Sequence, residues 1–87
     1  MLENQEHYFV MRRARISRQR LKEEIQAALH IFSERERTIL ELRFGLKDDQ
    51  QYSLQAIGQR LGVTGERIRQ IEARALRKLH HLTRSHR

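Results

Sequence analysis

The chain has 87 residues, no cysteine, proline or tryptophan, and a formal net charge of +7. That length allows one domain with a small core, and the missing cysteine excludes a disulfide scaffold, a thiolate zinc site and a cysteine nucleophile. No apolar run approaches the roughly 18–20 residues of a membrane span, and Leu2 is followed by Glu3, Asn4 and Gln5 instead of an apolar leader, so a cytoplasmic domain is expected.

Residues 1–16 carry a short apolar run, Tyr8-Phe9-Val10-Met11, ahead of Arg12, Arg13 and Arg15. Four apolar residues are too few to assign an element. The segment reads as a linker remnant or an extra packing piece, ahead of a membrane-surface role. Ser17 reads as the N-cap of a helix of about Arg18–Ile31, whose Leu21, Ile25, Ala28, Leu29 and Phe32 recur at helical spacing on one stripe. Ser33-Glu34-Arg35-Glu36 is a capping box, with serine serving the N3 amide and glutamate reaching back to the cap amide. The helix it opens should run to about Phe44 and stop at Gly45, a residue able to take positive φ. Leu46–Tyr52 reads as a polar loop.

Ser53 should cap a third helix, about Leu54–Leu61, with Leu54, Ile57 and Leu61 inward. Gly62-Val63 makes a turn, and Thr64 caps a fourth helix expected to reach about His80. On that helix Ile68, Ile71, Ala75 and Leu79 fall within about 80° of one another. Glu66, Arg69, Gln70, Ala73 and Arg77 lie roughly opposite. Leu76 fits neither face cleanly and is expected against the N-terminal helix. Residues 82–87 read as a basic tail beyond a 17–81 domain.

The predicted fold is all-α, a small four-helix domain with a C-terminal helix-turn-helix from Leu54 to Ile71. Two helices crossing at a short turn need a small residue at the close approach, supplied by Gly58, and a turn residue free to adopt positive φ, supplied by Gly62. Val63 plugs the corner. A plain αα-hairpin would use the same pattern, so the charge distribution matters. The net charge is +2 over residues 1–30, −1 over 31–50 and +6 over 51–87. The excess lies on the helix-turn-helix and the tail. Glu66, Arg69 and Gln70, with Arg67 beside them, are residue types that read base edges. Thr64, Arg60 and the amides near Ser53 and Thr64 are placed to hold phosphates, helped by positive helix N-termini. Arg74, Arg77 and Lys78, further along, suit phosphate or an acidic protein.

Arg43-Phe44-Gly45-Leu46, then Ser53-Leu54-Gln55-Ala56-Ile57-Gly58, then Val63-Thr64-Gly65-Glu66-Arg67-Ile68-Arg69-Gln70-Ile71-Glu72 and on to Leu79 resemble region 4 of a bacterial sigma factor, of the primary, housekeeping class. The resemblance covers about Leu21–Ser85. It implies a module that binds the promoter −35 element in double-stranded DNA and docks on the β flap of RNA polymerase, with activators or an anti-sigma factor as further partners. Carried over by position, Glu66, Gln70 and Arg69 would face bases. Ser53, Arg60, Thr64, Arg67 and Arg77 would hold the backbone. Arg69, Arg74, Arg77 and Lys78 would meet activators, and Ile39, Leu42, Phe44 and Leu61 the flap. The family usually has arginine where this chain has Gly65, which removes a guanine contact worth about 1–3 kcal/mol of discrimination. It usually has proline where Leu82 stands, so the last helix could run on. These residues hold no region 2 or 3 pattern, so reading a −10 element is not expected of them.

No enzyme, cofactor or metal role is expected. His80 and His81 are neighbours and so point about 100° apart, and no His pair at i, i+4 completes a ligand set. The capping box and loop solvation account for Glu34, Glu36, Asp48 and Asp49. The competing functional reading is a free-standing interaction module that binds the flap, an activator or an anti-sigma factor without reading sequence. An independent repressor or activator would normally need a dimer to span two half-sites.

Overall fold

The computed structural model describes residues 18–85, with side chains described from 19 to 83. The expected Ser17 cap and the Tyr8–Met11 run lie outside the described residues. Within them the chain forms four α-helices and no strand: α1 (Arg18–Ala27), α2 (Glu34–Phe44), α3 (Leu54–Leu61) and α4 (Gly65–Ser85). None of these helices is long and apolar enough to cross a membrane.

α1 ends four residues before the expected Ile31, and Leu29–Ile31 forms one 3-10 turn. The cause is the next helix. Phe32 is extended, at φ −97° and ψ 147°, because it leads into the Ser33 cap. The chain therefore leaves α1 early. The Ala28 amide is shared between the carbonyls of Glu24 and Ile25, 3.1 Å from each, as the last turn tightens. The apolar stripe survives, with Ala28 and Phe32 both buried.

The capping box opens α2 as the residue spacing requires. The Glu36 amide donates to Ser33 Oγ at 3.2 Å, and the Ser33 amide donates to Glu36 Oε1 at 2.9 Å. Gly45 closes α2 in the left-handed region, at φ 63°. A Cβ there would lie 3.0 Å from the Asp49 carbonyl carbon, so both conformation and space call for glycine. The loop is held by an Asx turn, with the Gln50 amide donating to Asp48 Oδ1 at 3.0 Å. It then returns to α2, where the Tyr52 amide donates to the Leu42 carbonyl at 2.9 Å.

α4 spans two apolar clusters and so ties the fold together. Its far half packs Ala75, Leu76 and Leu79 on Leu21, Ile25, Ala28, Phe32, Leu40 and Phe44. Leu76 thus belongs to the same cluster as Leu21 and Ile25 of the N-terminal helix. Its near half packs Ile68 on Ile39 and Ile57, with Leu42, Tyr52, Leu54, Leu61, Val63 and Ile71 around them. The helix also continues past His80 to Ser85, through part of the segment read as a tail. No glycine or proline stops it, and Leu82 gains from packing on the first cluster.

Candidate nucleic-acid interface

The corner between α3 and α4 is built on two glycines with different jobs. At Gly58 the need is space: a Cβ would lie 2.6 Å from the Val63 carbonyl oxygen and 3.1 Å from the Gly65 amide nitrogen. At Gly62 the need is conformation, since φ is 76° and nothing lies within 4 Å of an added Cβ. The Val63 amide then donates to the Gly58 carbonyl at 2.9 Å. Val63 tucks against the second cluster. The result seats the N-terminus of α4 against α3 and leaves its first turns facing outward.

Glu66, Arg67 and Gln70 are exposed on those turns, and Arg69 is partly covered. They form one network. Arg69 grips Glu66 as a fork, with Nε donating to Oε1 at 3.0 Å and Nη2 donating to Oε2. Gln70 Nε2 lies 3.4 Å from the same carboxylate, and Arg67 Nη1 lies 3.5 Å from Gln70 Oε1. The Arg69 fork holds the Glu66 carboxyl below its ordinary pKa, against a smaller upward push from desolvation. Glu66 is therefore an ionised acceptor, the form that can accept a hydrogen bond from a cytosine amino group.

Gly65 sits at the start of this surface without a structural demand for glycine. The positive-φ glycines are Gly45 and Gly62. A Cβ at position 65 would meet Gln55 backbone at 3.4 Å, an ordinary contact.

Ser53 and Thr64 cap α3 and α4: Ser53 Oγ accepts from the Ala56 amide and Thr64 Oγ1 from the Arg67 amide, each at 3.0 Å. A hydroxyl that accepts a cap bond still has its own proton to give, so both caps could also donate to phosphate. Arg60 reaches back from the last turn of α3, with its guanidinium carbon 4.3 Å from the Tyr52 ring centroid. Arg74 and Arg77 are exposed further along α4.

Three sequence expectations change. Ile39 is fully buried and Phe44 is 8% exposed, so both are core residues and not surface candidates; Ile39 belongs to the cluster with Ile57 and Ile68, and Phe44 to the cluster with Leu21 and Leu79. Leu42 and Leu61 remain half-buried at the edge of the second cluster. Lys78 is tied to α2 through its Nζ, 2.8 Å from Glu36 Oε1.

Two residues that the sequence reading overlooked hold the interface in place. Glu72 is 4% exposed, and Arg43 Nε donates to its Oε2 at 2.9 Å. Arg43 Nη1 also donates to the Tyr52 carbonyl at 3.2 Å. Glu36 has a second role beyond capping, through Lys78. Burial pushes its carboxyl up, but the Lys78 ammonium and the Ser33 amide and hydroxyl outweigh that and keep it ionised to lower pH than usual.

A glycine-cornered pair of helices, with polar side chains on the exposed start of the second, defines a helix-turn-helix domain of the DNA-binding class. The family model for sigma-70, region 4 matches residues 28–81. The chain is 54% identical over 67 residues to RNA polymerase sigma factor SigA of a Bacillus species, covering 77% of this chain and 18% of that protein. It is 52% identical over 65 residues to the SigA of Listeria monocytogenes, covering 75% of this chain and 17% of that protein. The chain belongs to the sigma-70 region 4 family, and it spans under a fifth of the length of the curated relatives it matches.

Proposed function

We propose that this chain is the −35-reading and polymerase-docking module of a sigma factor, acting in the cytoplasm in transcription initiation. The observation that carries the reading is a coincidence of place. The family match contains the whole helix-turn-helix, and the outward turns of α4 hold Glu66, Arg67 and Gln70. In such a domain the start of the second helix enters the major groove while flanking groups hold the backbone. Glu66 and Gln70 then face bases, with Arg69 behind Glu66. Ser53, Arg60, Thr64, Arg67 and Arg77 face phosphates. Leu42 and Leu61 supply apolar surface for the polymerase β flap. Arg74 and the exposed part of Lys78 face an activator or anti-sigma factor.

The test is duplex binding followed by polymerase capture. With several phosphates neutralised, log Kd against log salt should have a slope of magnitude about 4–6, so that affinity falls steeply with salt. A −35 duplex should bind more tightly than a scrambled one. Core polymerase should retain the chain, and polymerase lacking the flap tip should not. A flat salt response would refute DNA binding. Retention by polymerase together with such a flat response would favour the interaction-module reading, which draws on the self-satisfied network of Glu66, Arg69 and Gln70.

A further inference from the structure

We propose that Tyr52 is a positioning residue for Arg60, holding that cation ready for a DNA phosphate. The inference deepens the DNA-interface reading and rests on it. Arginine on a surface helix normally samples many rotamers, and fixing it on binding opposes affinity. Here the Arg60 guanidinium lies over the Tyr52 ring, 4.3 Å from its centroid. That is within the range where a ring face attracts a cation. The position of the ring is itself determined. The Tyr52 amide donates to the Leu42 carbonyl at 2.9 Å, and its carbonyl accepts from Arg43 Nη1 at 3.2 Å. Arg43 in turn holds Glu72 of α4 at 2.9 Å. The ring also packs against the cluster of Ile39, Ile57 and Ile68.

These contacts connect three elements. Glu72 belongs to the helix that carries Glu66 and Gln70, while Arg60 belongs to α3. Tyr52 stands immediately before Ser53, the cap of α3. The cation from the last turn of α3 is thereby drawn back over the residue preceding its first turn, where the free amides favour an anion. Tyr52 thus fixes a phosphate-holding charge on the framework that sets the recognition helix. The ring face supplies this function, not the phenol hydroxyl.

A double-mutant cycle tests it, using the whole chain and a fluorescein-labelled duplex bearing a −35 element. Tyr52→Leu should weaken binding about 2–5-fold, the effect of one exposed cation–ring contact. Tyr52→Phe should bind as the parent does. Arg60→Ala should weaken binding and lower the salt slope by about one. In the Arg60→Ala background, Tyr52→Leu should cost nothing further. Because the last comparison shares any fold damage caused by the leucine, it separates positioning from stability. Additive losses would overturn the proposal, as would equal weakening by Phe and Leu. If Arg60→Ala binds as tightly as the parent while salt dependence persists, this proposal fails and the DNA reading stands. If the parent itself shows no salt dependence, the DNA reading fails and takes the proposal with it.

Discussion

Gly58→Ala should destabilise the domain and weaken its binding to DNA, although alanine is the better helix former. Inside a helix the exchange would ordinarily gain about 1 kcal/mol. At this position the new methyl carbon would lie 2.6 Å from the Val63 carbonyl oxygen, with the Thr64 carbonyl carbon and Gly65 nitrogen at 3.1 Å. All three neighbours are backbone, so no side chain can swing away. The turn and the first residues of α4 must move by several tenths of an ångström. Overpacking of this kind costs roughly 1–3 kcal/mol, and a backbone obstacle belongs at the upper end. The net loss is then about 2 kcal/mol. With an m-value of about 1 kcal/mol per molar for so small a protein, the urea midpoint should fall by about 2 M. Gly62→Ala provides the contrast, because its space is open and its φ is 76°. It should cost about 1–2 kcal/mol through left-handed backbone alone, and Gly62→Asn should recover part of it. A Gly58→Ala protein with an unchanged or raised urea midpoint would refute the close-approach argument.

Glu72→Ala removes the carboxylate facing Arg43 and should cost about 2–3 kcal/mol by urea melting, less than a fully buried pair because the Arg43 side chain is 27% exposed. Glu36 should contribute to acid stability. Its carboxyl is held low in the folded state, so the stabilisation is complete above the unfolded value near 4.5 and is lost as pH falls through the lowered folded value. Glu36→Gln should accordingly flatten the acid limb of a stability-against-pH curve, and an unchanged limb would contradict the pairing with Lys78. Gly65→Arg makes only an ordinary contact with Gln55 at its Cβ and should raise preference for a −35 duplex over a scrambled one, by up to about 1–3 kcal/mol at the guanine. Equal gains on both duplexes would show a phosphate contact instead.

Local chemistry made most of the helix boundaries legible. Ser33, Ser53 and Thr64 each accept the amide bond that their residue type and position imply. Gly45 and Gly62 end α2 and α3 in the left-handed region for the same local reason. The overlooked features depend on more distant contacts. The 3-10 ending of α1 follows from the demands of the next helix. Ile39 and Phe44 could not be told from surface without knowing what α3 and α4 cover. Glu72 did leave a trace in the sequence. On an ideal helix it lies about 40° from Ile68 and 20° from Leu79, at the edge of the apolar stripe and between Leu79 and Leu76. A charge in that place needs a partner, but the sequence could not say that the partner was Arg43, 29 residues away.

The same geometry separates affinity from selectivity at the interface. The +6 carried by residues 51–87 would act on any duplex, since phosphates are the same along all sequences. The proposed base readers, Glu66 and Gln70, already bond to Arg69, Arg67 and each other. A correct base must therefore replace these bonds, and the net gain is only the difference between the old and new contacts. Gly65 adds no side chain to that balance. Such a surface should bind DNA readily and discriminate modestly on its own. If the domain docks on polymerase through the Leu42 and Leu61 edge, as proposed above, the register in which it is held would add to the selectivity for a −35 sequence. The consequence is measurable: the ratio of −35 to scrambled affinity should be larger for the polymerase-bound chain than for the free one, and an equal ratio in both states would place all the selectivity in α4.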